Sequence, residues 1–218
     1  MSLPLKLASS VATWDERYAE PEFAYGDAPN DFLVSRGAML EGPVLCLAEG
    51  QGRNAVYLAK LGLEVTAVDQ SAVGLACAEQ LAGRNGVAIQ TAVADLGAYD
   101  LGEERWGAIV SIFAHVPDAI RQAVHARIAT ALKPGGLFLL EAYRPEQLGL
   151  GTGGPQNPAL MMSLAELREE LAGLDWLTGE EVEREIHEGV YHNGQSRTIQ
   201  LIARKPDASR VAGAATAL

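Results

Sequence analysis

The stretch "CLAEGQGRNA", Cys46 to Ala55, decides the fold. Before it runs a short apolar segment, Val44–Leu47, which reads as a buried strand. After it Ala55, Val56, Leu58 and Ala59 recur at the spacing of a helix packed on a sheet. Between the two, Gly50-x-Gly52-x-x-Ala55 has the G-x-G-x-x-A form of a dinucleotide-binding turn. Glycines let the backbone approach a ligand, and the helix that follows offers unpaired N–H groups and a partial positive charge. That suits a pyrophosphate, and it suits a carboxylate as well.

Reading outward, the alternation continues. Gly62 ends the first helix, and "LEVTAVD" is a β-branched second strand closing on Asp69. Ser71 caps a helix to about Leu81, Asn85-Gly86 turns the chain, and Val87–Val93 alternates as a third strand just ahead of Asp95. "WGAIVSIFAHV" gives a fourth strand, "PDAIRQAVHARIATAL" a helix, "KPGG" a turn and "LFLLEAY" a fifth strand. Strand–helix repeats of this kind predict parallel strands joined by right-handed crossovers.

The last third changes character. Arg144–Pro158 is rich in Gly and Pro and is expected to be a mobile loop, residues 144–158. Ser163-x-x-Glu166 is a capping box that opens a helix to about Leu171. In "EEVEREIHEGVYHNGQSRTIQLIARK" two alternating runs flank Asn193-Gly194, which predicts a hairpin turning there. The predicted fold class is therefore α/β: a doubly wound, mostly parallel seven-stranded sheet with a C-terminal antiparallel hairpin. It fills one domain, residues 1–205, and residues 206–218 read as a disordered tail.

Composition limits the partners. The chain has 218 residues and a formal net charge of −11, which opposes nucleic acid and anionic membranes. Its two cysteines, Cys46 and Cys77, form no C-x-x-C pair, and no Cys/His cluster has metal spacing. The N-terminus lacks a signal-like apolar stretch, and no run approaches a membrane span, so a cytoplasmic location is expected.

Ligands of doubly wound sheets sit beyond the carboxyl ends of the strands, where Glu49, Asp69, Asp95 and His115 fall. Asp69 follows Gly50 by nineteen positions and suits both hydroxyls of a ribose. As a set, "EGQGRNA", "TAVDQS", "VADL", "IVSIFAHVP" and "LKPGG" resemble a class I S-adenosylmethionine-dependent methyltransferase, with a Rossmann-like fold. More narrowly they are similar to the tellurite-resistance and thiopurine-type enzymes. "WDERYAEPEFAYGDAPNDFL" resembles the lead-in of that family, which covers the cofactor, here within residues 1–40.

The resemblance implies S-adenosylmethionine as cofactor and a small-molecule acceptor, either a thiol or a chalcogen oxyanion. It implies that Gly50 and Gly52 border the methionine part, that Asp69 binds ribose, and that Gln70, Asp95 and Leu96 surround the adenine. Trp14, Arg53, Asn54, Ser71 and Phe113 complete the implied cofactor site. One departure stands out. The family carries an acid followed by Gly-x-Gly-x-Gly, whereas here Cys46 replaces the acid and Ala48 the first glycine. Glu49 is expected to substitute for that acid and hold the amino group of the cofactor.

Candidate acceptor-side residues are His115, His187 and Tyr25, with Tyr143 and Arg197 as further possible lining. His125 is expected on the surface and His192 in solvent at the hairpin turn. Two other readings remain. A nicotinamide-dependent oxidoreductase fits the glycine spacing but lacks an obvious Tyr/Lys pair, and the altered loop would also suit a non-catalytic cofactor-binding module.

Overall fold

The computed structural model describes residues 11–20 and 23–207; of the tail read as disordered, residues 208–218 lie outside the described residues. Seven strands form one sheet in the order β3-β2-β1-β4-β5-β7-β6. The strands are β1 (Val44–Leu47), β2 (Val65–Asp69), β3 (Gln90–Val93), β4 (Trp106–Ile112), β5 (Leu132–Tyr143), β6 (Asp175–Glu188) and β7 (His192–Arg204). The first five pair in parallel, and β7 joins β5 and β6 antiparallel. The doubly wound sheet with its closing hairpin is the predicted one.

Helices α1 (Val11–Tyr18), α2 (Asp31–Arg36), α3 (Arg53–Lys60), α4 (Ala72–Arg84), α5 (Asp118–Ala131) and α6 (Leu164–Glu170) cover the two faces. Alternate strand residues face opposite sides. Leu45, Leu47, Ile109 and Phe138 pack with Val124 and Ile128 of α5 and Leu167 of α6. Val44, Cys46, Val110 and Leu139 pack on the other face with Phe32 of α2, Leu58 of α3 and Leu75 of α4. The result is a three-layer sandwich whose strand ends are left free to carry chemistry. Among the described residues no helix is long and apolar enough to cross a membrane.

Three local expectations are corrected. The third strand is shorter than Val87–Val93, because Val87 and Ile89 turn inward onto Val56, Leu81 and Ala82. "KPGG" lies inside β5, where the pairing with β4 shifts register between Trp106↔Leu132 and Ala108↔Leu137. The hairpin turns at residues 189–191, so that Asn193 and Gly194 belong to β7 and pair with His187 and Ile186.

Tertiary contacts decide the hairpin turn. Gly189 has φ +67°, and a Cβ there would stand 2.3 Å from the backbone N of Gly26. The N–H groups of Val190 and Tyr191 both donate to the Ala24 carbonyl, at 3.0 and 3.3 Å. Asn193 N–H donates to Thr152 O at 2.8 Å, which keeps Asn193 in the strand and out of a turn.

Candidate functional site

The turn after β1 is built from its own side chain. Glu49 Oε1 accepts from the N–H groups of Asn54 and Ala55, at 2.9 and 2.8 Å, and so caps the first turn of α3. The Glu49 carboxylate is largely desolvated, which pushes its pKa up to about 7. Cys46 packs into the apolar layer beneath, and burial together with Glu49 raises its thiol well above the usual range.

Ala48 stands at the first glycine position of the fingerprint with φ +50°. A left-handed conformation costs an alanine about 1 kcal/mol that glycine avoids. Ala48→Gly is therefore expected to raise stability, by up to about 1 kcal/mol less the extra flexibility of the unfolded chain. A urea titration that shows a loss of stability would contradict this strain.

Asp69 ends β2 with its carboxylate buried. Oδ2 accepts from Gly50 N–H at 2.9 Å, and Oδ1 accepts from Ser71 N–H at 2.8 Å. Burial raises its pKa against these bonds. Ser71 caps α4 as read from sequence, and its hydroxyl also meets the Asp15 carboxylate. Gln70 is half-buried beside it. Asp95 lies exposed beyond β3, where it accepts from Gly97 N–H at 2.7 Å, while Leu96 is buried behind it.

The lead-in crosses this edge. Tyr18 lies in the slot between Gly50 and Gly74, where an added Cβ would stand 2.6 Å from its hydroxyl and 2.8 Å from its ring, respectively. Trp14 stacks on Tyr18 with ring centroids 5.6 Å apart. Gln51 holds the segment down through Ala24 N–H at 2.9 Å and Tyr18 O at 3.3 Å.

Arg53 and Asn54 have other partners. Arg53 Nη2 donates to Glu188 Oε2 at 2.6 Å, and Asn54 Oδ1 accepts from Asn30 N–H at 3.0 Å. They tie α3 to the hairpin and to the lead-in.

Of the histidines, His115 is half-buried after β4. Its Nδ1–H donates to Leu160 O at 2.8 Å, and desolvation lowers its pKa to about 4. His187 is exposed on the hairpin, with Nδ1 2.9 Å from Asn193 Oδ1, away from the strand-end cluster. Two readings are corrected here. His192 is buried, because the hairpin turns three residues earlier than expected and the lead-in covers it. His125 is buried against Glu170 of α6, with Nδ1 2.6 Å from Oε2. Tyr25 accepts from Arg17 Nη1 at 2.8 Å. Arg197 lies on the hairpin, with Nε 3.3 Å from Glu183.

Residues 44–136, from β1 into the bulge of β5, match the family described as "Methyltransferase domain". Solved structures share the fold of the chain. The one described as "Conversion of a Disulfide Bond into a Thioacetal Group during Echinomycin Biosynthesis" has a TM-score of 0.72 at 21% identity, covering 95% of this chain and 96% of that one. TehB from Haemophilus influenzae gives 0.66 at 23% identity, covering 80% and 61%. The N-methyltransferase NodS from Bradyrhizobium japonicum WM9, in complex with S-adenosyl-L-homocysteine, gives 0.65 at 16% identity, covering 90% and 98%. No curated protein matches the sequence.

The residues around the glycine turn fit an adenosyl sulfonium. Glu49 lies in the turn after β1 and Asp69 ends the neighbouring β2, and among the described residues no Lys or Arg forms an ion pair with either. Gly50 and Gly74 leave a slot that the Tyr18 ring fills and that any Cβ would narrow. Two desolvated carboxylates without a direct ion pair, with only Arg53 acting on Glu49 from further off, favour a cation and oppose a pyrophosphate.

Proposed function

We propose that the chain transfers the methyl group of S-adenosylmethionine to a small soft nucleophile, a thiol or a chalcogen oxyanion, as one domain through residue 205 in the cytoplasm. The pair of carboxylates without a direct ion pair, Glu49 and Asp69, carries this reading. The bound cofactor supplies an electrophilic methyl carbon on a sulfonium. Asp69 accepts from the ribose hydroxyls, and Gln70, Asp95 and Leu96 surround the base. Glu49 holds the ammonium group while its Oε1 keeps the α3 cap in place. Ser71 fixes the Asp69 carboxylate, and Trp14 with Tyr18 swings over the bound cofactor to exclude water. His115 acts as wall and not as base, since burial lowers its pKa to about 4 and its Nε2 accepts from Tyr143 N–H at 3.5 Å. Reaction follows from alignment, because an in-line displacement needs little more than a held geometry.

Glu49 makes the binding depend on pH. The folded chain keeps a proton on Glu49 that the unfolded chain has released above about 4.5, so the free protein loses that stability as pH rises through about 7. Pairing with an ammonium needs the ionised form, so affinity moves the other way. S-adenosylhomocysteine affinity is expected to rise on the order of tenfold from pH 6 to pH 8, and Glu49→Gln to flatten that rise. Thermal shifts with S-adenosylmethionine, S-adenosylhomocysteine and NADH read both points. At 100 times Kd a ligand adds about 2.7 kcal/mol. Stabilisation by NADH alone would overturn the methyltransferase reading in favour of an oxidoreductase. Binding without turnover on any acceptor would favour a non-catalytic module.

A further inference from the structure

The hairpin builds a second constellation beside the glycine turn. His192, the first residue of β7, has its ring centroid 4.5 Å from Tyr25, 4.7 Å from Phe113 and 5.2 Å from Tyr143. Phe113 stacks on Tyr143 at 4.7 Å. It follows β4 directly, and β4 pairs with β1, so this packed aromatic box stands at the same edge of the sheet as the glycine turn. Tyr143 and His192 form its floor, while Tyr25 and Phe113 are half-buried walls.

Two features set the box apart from ordinary packing. Tyr143 Oη and His192 Nδ1 are both buried without a hydrogen-bond partner among the described residues. Such atoms are costly to leave unpaired: Tyr143 Oη marks a place where a ligand completes the bonding, and His192 Nδ1, 3.9 Å from Glu188, is the nitrogen an imidazolium would pair. Phe113 also holds φ +52°, a strained conformation for an aromatic residue. The cover over the floor is glycine. A Cβ at Gly153 would stand 2.5 Å from Tyr143 Oη and 3.1 Å from the His192 ring.

The charges around the box choose the ligand. Facing His192 are Glu188 of β6, Glu141 of β5, Arg53 of α3, and His115, Tyr25 and Tyr143. Burial lowers the His192 pKa, with Glu188 acting against it. Glu188 Oε2 is 3.9 Å from His192 Nδ1 and accepts from Arg53 at 2.6 Å. Arg184 is likewise committed to Glu141 and Glu188. The guanidinium groups nearby are thus spent on carboxylates, and an oxyanion would meet the field of Glu188 and Glu141. A neutral sulfur against aromatic rings meets no such penalty.

We propose that the box of Tyr25, Phe113, Tyr143 and His192 receives a protonated thiol as methyl acceptor, and that His192 takes its proton. This rests on the methyltransferase reading above. The S–H bond breaks and its proton passes to His192 Nε2. The sulfur electron pair forms the new S–C bond as the bond from that carbon to the sulfonium breaks, leaving a neutral thioether. The positive charge moves from sulfonium to imidazolium, which Glu188 then pairs through Nδ1–H. An ordinary thiol, with a pKa of about 8.5, lies within reach of an imidazole base.

The test compares wild type, His192→Gln and His192→Asn with benzyl mercaptan and with tellurite as acceptors, from pH 4.5 to pH 9, alongside S-adenosylhomocysteine binding by calorimetry. Wild type is expected to methylate the thiol in preference to tellurite. The variants are expected to lose about 100-fold in kcat at pH 6, a loss that shrinks as rising pH supplies thiolate, with binding changed less than twofold. If both variants fail to fold, the wild-type profile decides, since a base role requires kcat to rise through a His192 titration that burial places below the usual imidazole range, before it levels off. Normal cofactor binding with equal thiol turnover in the variants, a flat wild-type profile, a preference for tellurite, or no thiol turnover overturns the proposal. Failure of wild type to bind S-adenosylhomocysteine instead overturns the methyltransferase reading beneath it.

Discussion

Replacing Gly52 with alanine is expected to destabilise the protein by about 3 kcal/mol or more, a large share of the roughly 5–15 kcal/mol typical of a domain. Two causes add. Gly52 has φ +88°, where an alanine costs about 1–2 kcal/mol. A Cβ there would also stand 2.4 Å from Ala78 Cβ and 2.7 Å from Ala78 Cα, so α4 itself would have to move, at a further cost of about 1–3 kcal/mol. Gly52 thus serves the packing of α3 on α4 first, and admits a ligand only through the turn this packing holds. Urea unfolding checks the total, and a loss below about 1 kcal/mol would refute it. Adding Ala78→Gly relieves the Cβ clash but not the backbone strain, so the double variant should recover part of the loss.

That pair also shows what the sequence could and could not carry. The glycine spacing and the capping box of Ser163 and Glu166 are local signals, and each appears in the structure where it was read, whereas the alternating third strand begins only at Gln90. The hairpin was legible too, but its turn was not. Asn193-Gly194 is the stronger local signal, yet Gly189 has the close contact with Gly26 that fixes the bend. The same limit hid two histidines. His125 sits in a helix with weak amphipathic contrast, and its partner Glu170 is 45 positions away. His192 is covered by a lead-in more than 150 positions earlier in the chain, through contacts that no periodicity encodes. One clue was on the page: a glutamate inside the apolar run "LFLLEAY" asks what could pay for burying it.

Replacing Glu141, that glutamate, with alanine is expected to cost about 3–5 kcal/mol. Its carboxylate is fully buried in β5 and gathers an unusual set of donors. Arg184 Nε and Nη2 both reach it at 2.9 Å, Asn30 Nδ2 at 2.6 Å, Gln200 Nε2 at 2.9 Å and Thr198 Oγ1 at 3.1 Å. These donors come from the cap of α2, from β6 and from β7, so one carboxylate fastens the hairpin and the lead-in to the parallel sheet. Removing it leaves Arg184 desolvated with only Glu188 and Asp31 as partners. Replacing both ends, as Glu141→Leu with Arg184→Met, should cost less than Glu141→Ala alone, because no unpaired charge then remains. The network has a second consequence. Asn30 Nδ2 also donates to Glu188 at 2.9 Å, so the residue behind His192 is held by the same cluster. Glu141→Gln keeps the shape but loses the charge, and in the fraction that stays folded thiol turnover should fall further than cofactor affinity. Equal loss of both would assign the network to stability alone.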